Sequence, residues 1–427
     1  MQVSELIQRL QNSNFDQTIA NLYPQSDLSV KRARIIKLAN DFFARYGEKD
    51  VTLFSVPGRT ELSGNHTDHN NGLVLAASVD IDIIALAAPS DEPTVRIKSE
   101  GYREDVVDIS SPSPENVRKG SSSAIIAGIA DYFYKHGYSC GGFTAFTTSD
   151  VMTGSGLSSS AAFEVICARI FSEFYNNGAI SPMELAKAGK YAENQYFGKP
   201  CGLMDQAACA SGGCLFIDFE NNAEPKTEKI DFDLAKFGYS LCIVNTGGNH
   251  ADLTDDYASV PSEMRSIAAL MGKQNLRTCD EEDFMGRICY MRTLVGDRAI
   301  MRAMHYFAEN RRVSAQRNAL CRDNIEEYLK LVAESGNSSF RFLQNVYTNK
   351  NVEEQGISLA LAITERFGAI CRVHGGGFAG TIQAYVKTDE VARYKYAIES
   401  VFGENACKVY TIRPYGASVV TENEIRG

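Results

Sequence analysis

The sequence predicts an α+β protein of two mixed halves, and three observations predict it. The 427 residues correspond to two or three domains of about 150 residues each. Strand-like runs crowd the segment after an opening pair of helices: VTLFSVP at 51–57, LVLAASV at 73–79, IDIIALAA at 81–88 and TVRIKS at 94–99. Beyond a turn-like NNAEP at 221–225, strands such as YSLCIVN and TIQAYV mix with long helical stretches around 260–272, 314–335 and 353–367. The boundary is expected near 215–225, giving an N-terminal domain over residues 1–215 and a C-terminal domain over residues 216–427. With no internal repeat and no extended linker, the two domains are expected to share an interface.

Each element has a local reason. MQVSELIQRLQNSNF places Val3, Leu6, Ile7 and Leu10 on one side of a helix and lacks the charged start and apolar run of an export signal. A helix over 29–47 is read from Ser29 as cap, the stripe Ile35, Leu38, Ala39, Phe42, Phe43, and Gly47 as left-handed exit. SSPSPE at 110–115 is a loop; Ile125, Ile126, Ile129 and Phe133 then mark a helix over 121–137, followed by the strand FTAFTTS at 143–149. A helix starts near Ser158, and another runs over 181–197 with Pro182 in its first turn.

Composition limits the function. Apolar residues at 44% and charged residues at 22% are globular values, and 53 acidic against 43 basic residues give a net charge of −10. That balance lacks the basic surface of a nucleic-acid binder, so a small-molecule partner is expected and no nucleic acid. Eleven cysteines, an odd number without a Cys-x-x-Cys pair, fit neither a disulfide framework nor a zinc ribbon and point to a reducing cytoplasm. The apolar runs fall below the roughly 18 residues of a membrane span.

Four segments carry chemistry. TGSGLSSSAAFEV, 153–165, is a glycine-rich turn opening a helix, where close backbone approach and free N–H groups suit a phosphate; an ordinary serine cap uses the same groups. GGGFAG, 375–380, matches G-x-G-x-x-G, but TIQAYV after it alternates like a strand, which excludes a dinucleotide fingerprint and leaves a tight turn. PGRTELSGNHTDHNNG, 57–72, packs Arg59, Glu61, Asn65, His66, Asp68 and His69 between apolar strands, a donor and acceptor mixture suited to sugar hydroxyls. In YAENQYFGKPCGLMDQAACASGG, 191–213, Asp205 is flanked by apolar residues and is either a helix cap or a partly buried functional carboxylate.

Taken together and in order, these segments resemble the small-molecule kinase superfamily of galactokinase, homoserine, mevalonate and phosphomevalonate kinases (the GHMP kinases), most closely the galactokinase family. PGRTELSGNHTDHNNG resembles the family signature PGR-x-N-L-I-G-E-H-T-D-Y-N-x-G, GSGLSSSAA the phosphate loop, HGGGFAG the third motif, and PCGLMDQ is nearly the family string. The resemblance implies a GHMP fold, with an N-terminal domain like ribosomal protein S5 domain 2 and a ferredoxin-like C-terminal one. It implies phosphorylation of galactose or a related hexose by ATP at the anomeric hydroxyl, with a galacturonate kinase or a non-catalytic sugar and ATP sensor as alternatives. Asp205 and Arg59 match the catalytic pair. Asn65, His66, Asp68, Gly202 and Tyr257 match the sugar contacts. Gly154, Ser155, Gly156, Leu157, Ser158, Ser159 and Ser160 match the ATP cradle, joined by Gly376 and Gly377, and Ser160 and Glu193 match the magnesium (Mg2+) ligands.

Departures concentrate in the signature. Asn65 stands for the usual Glu, Glu61 for Asn, Ser63 for Ile and His69 for Tyr, and the resemblance implies that Asn65 removes a negative charge beside the sugar's distal end. Neither a P-loop G-x-x-x-x-G-K-[ST] nor the H-R-D and D-F-G strings of protein kinases occur. His136 and His305 read as surface helix residues, and Cys201, Cys209 and Cys214 as small packing residues.

Overall fold

Period-two patterning builds two sheets. In the computed structural model, which describes residues 1–151, 156–248, 253–378 and 380–427, the strands are β1 (Thr52–Ser63), β2 (Leu73–Ser90), β3 (Thr94–Ser99), β4 (Asp105–Asp108), β5 (Gly142–Ser149), β6 (Cys214–Asp218), β7 (Lys226–Ile230), β8 (Tyr239–Asn245), β9 (Ile370–His374), β10 (Thr381–Lys387), β11 (Cys407–Tyr410), β12 (Ser418–Val420) and β13 (Ile425–Arg426). One sheet runs β13-β12-β1-β2-β5-β3-β4, with β6 on the remaining edge of β2 and β7 on β6; the other is antiparallel, β11-β8-β10-β9. The runs at 73–79 and 81–88 are thus one strand, long enough to pair with β1 on one edge and with β5 and β6 in succession on the other.

A cut between residues 215 and 216 falls inside β6, and β12 and β13 bring the chain end back to β1. Pairing in the sheets, rather than position along the chain, defines the structural units. The N-terminal helices Val3–Gln11 and Leu28–Tyr46 cover one face of the large sheet, while Ser122–Lys135, Ser159–Tyr175, Pro182–Tyr191 and Met204–Ser211 fill the other. Leu62, Leu75 and Val79 of the first sheet meet Leu241, Ile243 and Tyr385 of the second in a shared apolar cluster, the expected interface.

Local differences have local causes. Asp27 rather than Ser29 caps Leu28–Tyr46, its carboxylate accepting from the N–H of Ser29 and Val30, and Phe43 is exposed. The helix expected over 314–335 is two helices, Glu281–Leu320 and Ile325–Ser338, because Asn324 caps the second through the Glu327 N–H. Among the described residues no helix is long and apolar enough to cross a membrane.

Candidate active site

Two register shifts in the β1–β2 pairing, between Pro57 and Arg59 and between Glu61 and Ser63, make the first half of the signature a kinked end of β1, and the rest, through the turn Asp68–Asn70, is loop. Such irregularities re-aim side chains. Arg59 reaches Asp205 in a fork, Nε to Oδ1 at 2.7 Å and Nη2 to Oδ2 at 2.6 Å. Its Nη1 donates to the Gly156 carbonyl and its N–H to that of Leu157 at 3.1 Å, so one residue ties the signature to the phosphate loop. Asp205 lies in the first turn of Met204–Ser211, after Leu203 as cap, so of the two expectations the cap is excluded. Burial would raise its pKa, but the Arg59 guanidinium and the Ser158 hydroxyl, which donates to Oδ2, hold it below the ordinary 3.8. Asp205 is an anion throughout the working pH range.

Ser158 takes a left-handed conformation (φ 59°) just before the helix Ser159–Tyr175, and its side chain leaves the capping role for Asp205. Gly156, Leu157, Ser158, Ser159 and Ser160 come together as expected at that helix start; Gly154 and Ser155 lie outside the described residues. Ser159, Ser160, Glu164 and Glu193 line a cavity of about 490 Å³ with Ser99, Tyr102, Ser122 and Phe197 along its walls. A π-turn, Ala192–Phe197, continues the helix Pro182–Tyr191 and turns Glu193 inward.

These donors fit magnesium. Ser160 and Glu193 bring oxygen-bearing side chains to one cavity, and the described residues contain no group of three His, Cys, Asp or Glu side chains able to hold a metal. A hard cation that keeps most of its waters and arrives with a polyphosphate needs one or two protein oxygens. Gln206 Nε2 spans Glu164 Oε2 at 2.8 Å and Glu193 Oε2 at 3.2 Å, which leaves Glu193 Oε1 to Lys199 Nζ at 3.2 Å. Burial, then the Glu193 charge, pushes the Glu164 carboxyl well above its ordinary value.

The rest of the signature folds onto the glycine turn. Asn65 is fully buried; its Nδ2 donates to Glu61 Oε1 at 3.0 Å and to the Gly375 carbonyl at 2.6 Å, while its Oδ1 accepts from Asn345 at 2.7 Å. His66 Nε2 donates to the Gly376 carbonyl at 3.0 Å and its Nδ1 pairs with His69 Nε2 at 3.3 Å, with burial keeping both rings neutral. Tyr257, in Thr254–Leu270, donates to the Gly377 carbonyl at 3.0 Å and packs edge-on against Phe378. The Gly375 and Gly376 carbonyls therefore face the signature, and the Gly377 carbonyl faces Tyr257. Asp68 stands against Gly202, where any Cβ would overlap its carboxylate. Burial, then the charge of Glu61, pushes the Asp68 carboxyl up to about 6.

The negative charge missing at position 65 is present one bulge earlier. Glu61 and Asn65 are hydrogen-bonded partners, and the Glu61 carboxylate forms a buried ion pair with Arg372 Nη2 at 2.6 Å. Asn65 thus does not lower the charge of this region as a lone substitution would. Sequence reading also missed Glu309, whose Oε1 accepts from the Gly64 N–H at 3.1 Å, and His305, which is fully buried between Ser338 and the Asn65 carbonyl. His136 is exposed and stacks on Tyr132, as expected. His305 and Glu309 are i, i+4 on a helix face that also buries Arg302 and Gln316, and that run of polar residues at helical spacing was the available signal.

Comparison with known proteins places this geometry. Residues 124–213 match the GHMP kinases N terminal domain and residues 40–89 the galactokinase galactose-binding signature. A galactokinase of Streptomyces coelicolor is 28% identical over 369 residues, 85% of this chain and 92% of that protein. One of Limosilactobacillus reuteri is 29% identical, covering 89% of this chain and 96% of its own. Among solved structures, Lactococcus lactis galactokinase complexed with galactose superposes with a TM-score of 0.77 at 26% identity, over 90% of this chain and 99% of that one. The Methanococcus jannaschii mevalonate kinase, at 16% identity and a TM-score of 0.59, shares the fold.

Proposed function

We propose, from the chain's similarity to the GHMP kinases and to galactokinases among them, that it transfers the terminal phosphoryl group of ATP to the anomeric hydroxyl of a hexose, galactose foremost, to give the sugar 1-phosphate. The observation that carries the proposal is the Asp205 carboxylate, forked by Arg59 and touched by Ser158, between the cavity of Ser160 and Glu193 and the signature turn of Asp68.

In this reading residues 1–215 hold both substrates and the glycine turn of 216–427 closes the site. Phosphates lie on the N–H groups opening Ser159–Tyr175, where the helix dipole favours anions. Ser160 and Glu193 would hold magnesium, which neutralises charge on the phosphate oxygens as the group is transferred. Asp205, already ionised, accepts a hydrogen bond from the anomeric hydroxyl and receives its proton as the phosphorus–oxygen bond forms. Arg59 keeps that acceptor aimed and contributes positive charge beside the transferred group. Asp68 accepts from a sugar hydroxyl, while Asn65 and His66, whose side chains are engaged by the protein, brace the wall behind the sugar.

The test is turnover of ATP with free sugars. Galactose should give a 1-phosphate identified by phosphorus NMR, with kcat/KM above that for galacturonate. ATP and galactose binding without turnover would instead make the protein a sensor, and no turnover of either sugar would overturn the proposal.

A further inference from the structure

Lys199 stands in the turn between the π-turn that carries Glu193 and the helix that carries Asp205. The N–H groups of Gly198 and Lys199 both bond the Glu193 carbonyl, at 2.9 and 3.1 Å, so Glu193's own backbone sets where this lysine begins. Its ammonium lies 3.2 Å from Glu193 Oε1, its ion-pair partner among the described residues. The two ends differ in freedom: the Lys199 side chain is 64% exposed and the Glu193 side chain 5%. Glu193 Oε2 is held by Gln206, so Oε1 is the oxygen left for a cation.

A divalent cation and an ammonium cannot share that oxygen, and only the ammonium has room to leave. We propose that Lys199 is an internal counter-ion that occupies the cation position on Glu193 in the nucleotide-free protein, is displaced when a magnesium nucleotide enters, and then faces the polyphosphate. Lys199 is therefore a nucleotide-binding residue whose two charge contacts alternate. The inference rests on the kinase reading above and deepens its nucleotide site.

Alternating contacts predict opposite effects for one substitution. Lys199→Gln should bind manganese(II), counted by electron paramagnetic resonance without nucleotide, about threefold more tightly, and magnesium ATP, titrated by calorimetry without sugar, about threefold more weakly, the scale of one partly exposed charge contact. Lys199→Arg should restore both toward wild type. A lysine that only holds the turn would move both affinities the same way or neither, and either result overturns the proposal. Wild-type protein that takes up no magnesium ATP would overturn the kinase reading itself, and this inference with it; wild-type uptake with an unchanged Gln variant overturns this inference alone.

Discussion

Replacing Asp68 by Asn should stabilise the protein near neutral pH while destroying its grip on the sugar. The carboxyl opens the turn Asp68–Asn70, packed on Gly202, and burial with the charges of Glu61 and Asp205 brings it up to about 6 from an ordinary 3.8. The folded protein then holds a proton that the unfolded chain has released, so stability falls as pH rises from about 4 to about 6 and the penalty is complete above that. Two pH units set a ceiling of roughly 3 kcal/mol, and with Asp68 only partly shielded from water about 1–2 kcal/mol is the working figure. Asn keeps the shape and removes the charge. Thermal unfolding of Asp68→Asn should show a gain of about 1–3 °C near neutrality and none near pH 4. Sugar affinity should fall at least about tenfold, because a charged acceptor is lost. In the wild type, the KM for sugar should rise as pH falls through about 6. A variant no more stable than wild type near neutrality, or equally stabilised at both pH values, would refute the argument.

Four other substitutions follow. Asp205→Asn should lower kcat by about 10²–10⁴ if the carboxylate takes the proton, and a severalfold loss with sugar binding intact would leave it only an orienting role. Because Arg59 holds that carboxyl below its ordinary range, the wild-type kcat should show no titration of Asp205 above about pH 5. Arg59→Lys cannot reproduce the fork and should lower kcat at least about tenfold with sugar affinity kept, as steady-state kinetics would show. Arg372→Ala leaves Glu61 buried without its cation and should lose about 3–5 kcal/mol in denaturant unfolding, some of it recovered by also replacing Glu61 with Leu. Gly377→Ala places a Cβ against the Asn345 carbonyl at φ 81° and should lower kcat/KM; wild-type kinetics would contradict the tight-turn reading.

Much of the molecule was legible because its signals are local. The helix starts at Ser121 and Ser181, Gly47 as helix exit, the apolar stripes of the N-terminal half and most strands stand where residue type and spacing put them. What escaped was set at a distance. Nothing near Pro57 announces that β1 continues through it, since the two register shifts exist only against β2. The merging of 73–79 with 81–88 depends on β5 and β6 supplying partners for successive halves of one strand. That Asp205 is paired with Arg59, 146 positions earlier, is likewise visible only in the fold. The same holds for Glu61 and Arg372, 311 positions apart, whose ion pair no local pattern announces.

Hydrogen-bond accounting separates the polar residues that build this site from those that can recognise a ligand. Buried polar groups must find partners inside the protein, and a group whose donors and acceptors are all engaged has nothing to offer a substrate. Asn65, His66 and His374 are in that state: His374 sits between Thr60 and Thr381, kept neutral with a pKa of about 3 by burial and Arg59, and the others hold the glycine turn against β1. They join the two sheets. Ser160 and Glu193 instead line the cavity, with Glu193 paired to a lysine that can leave, and Asp68 stands in the signature turn against Gly202; Asp205, though forked by Arg59 and touched by Ser158, still has carboxylate lone pairs to accept another hydrogen bond. Under the proposed function these few oxygens would meet sugar and nucleotide, while the more numerous signature residues set where those oxygens stand.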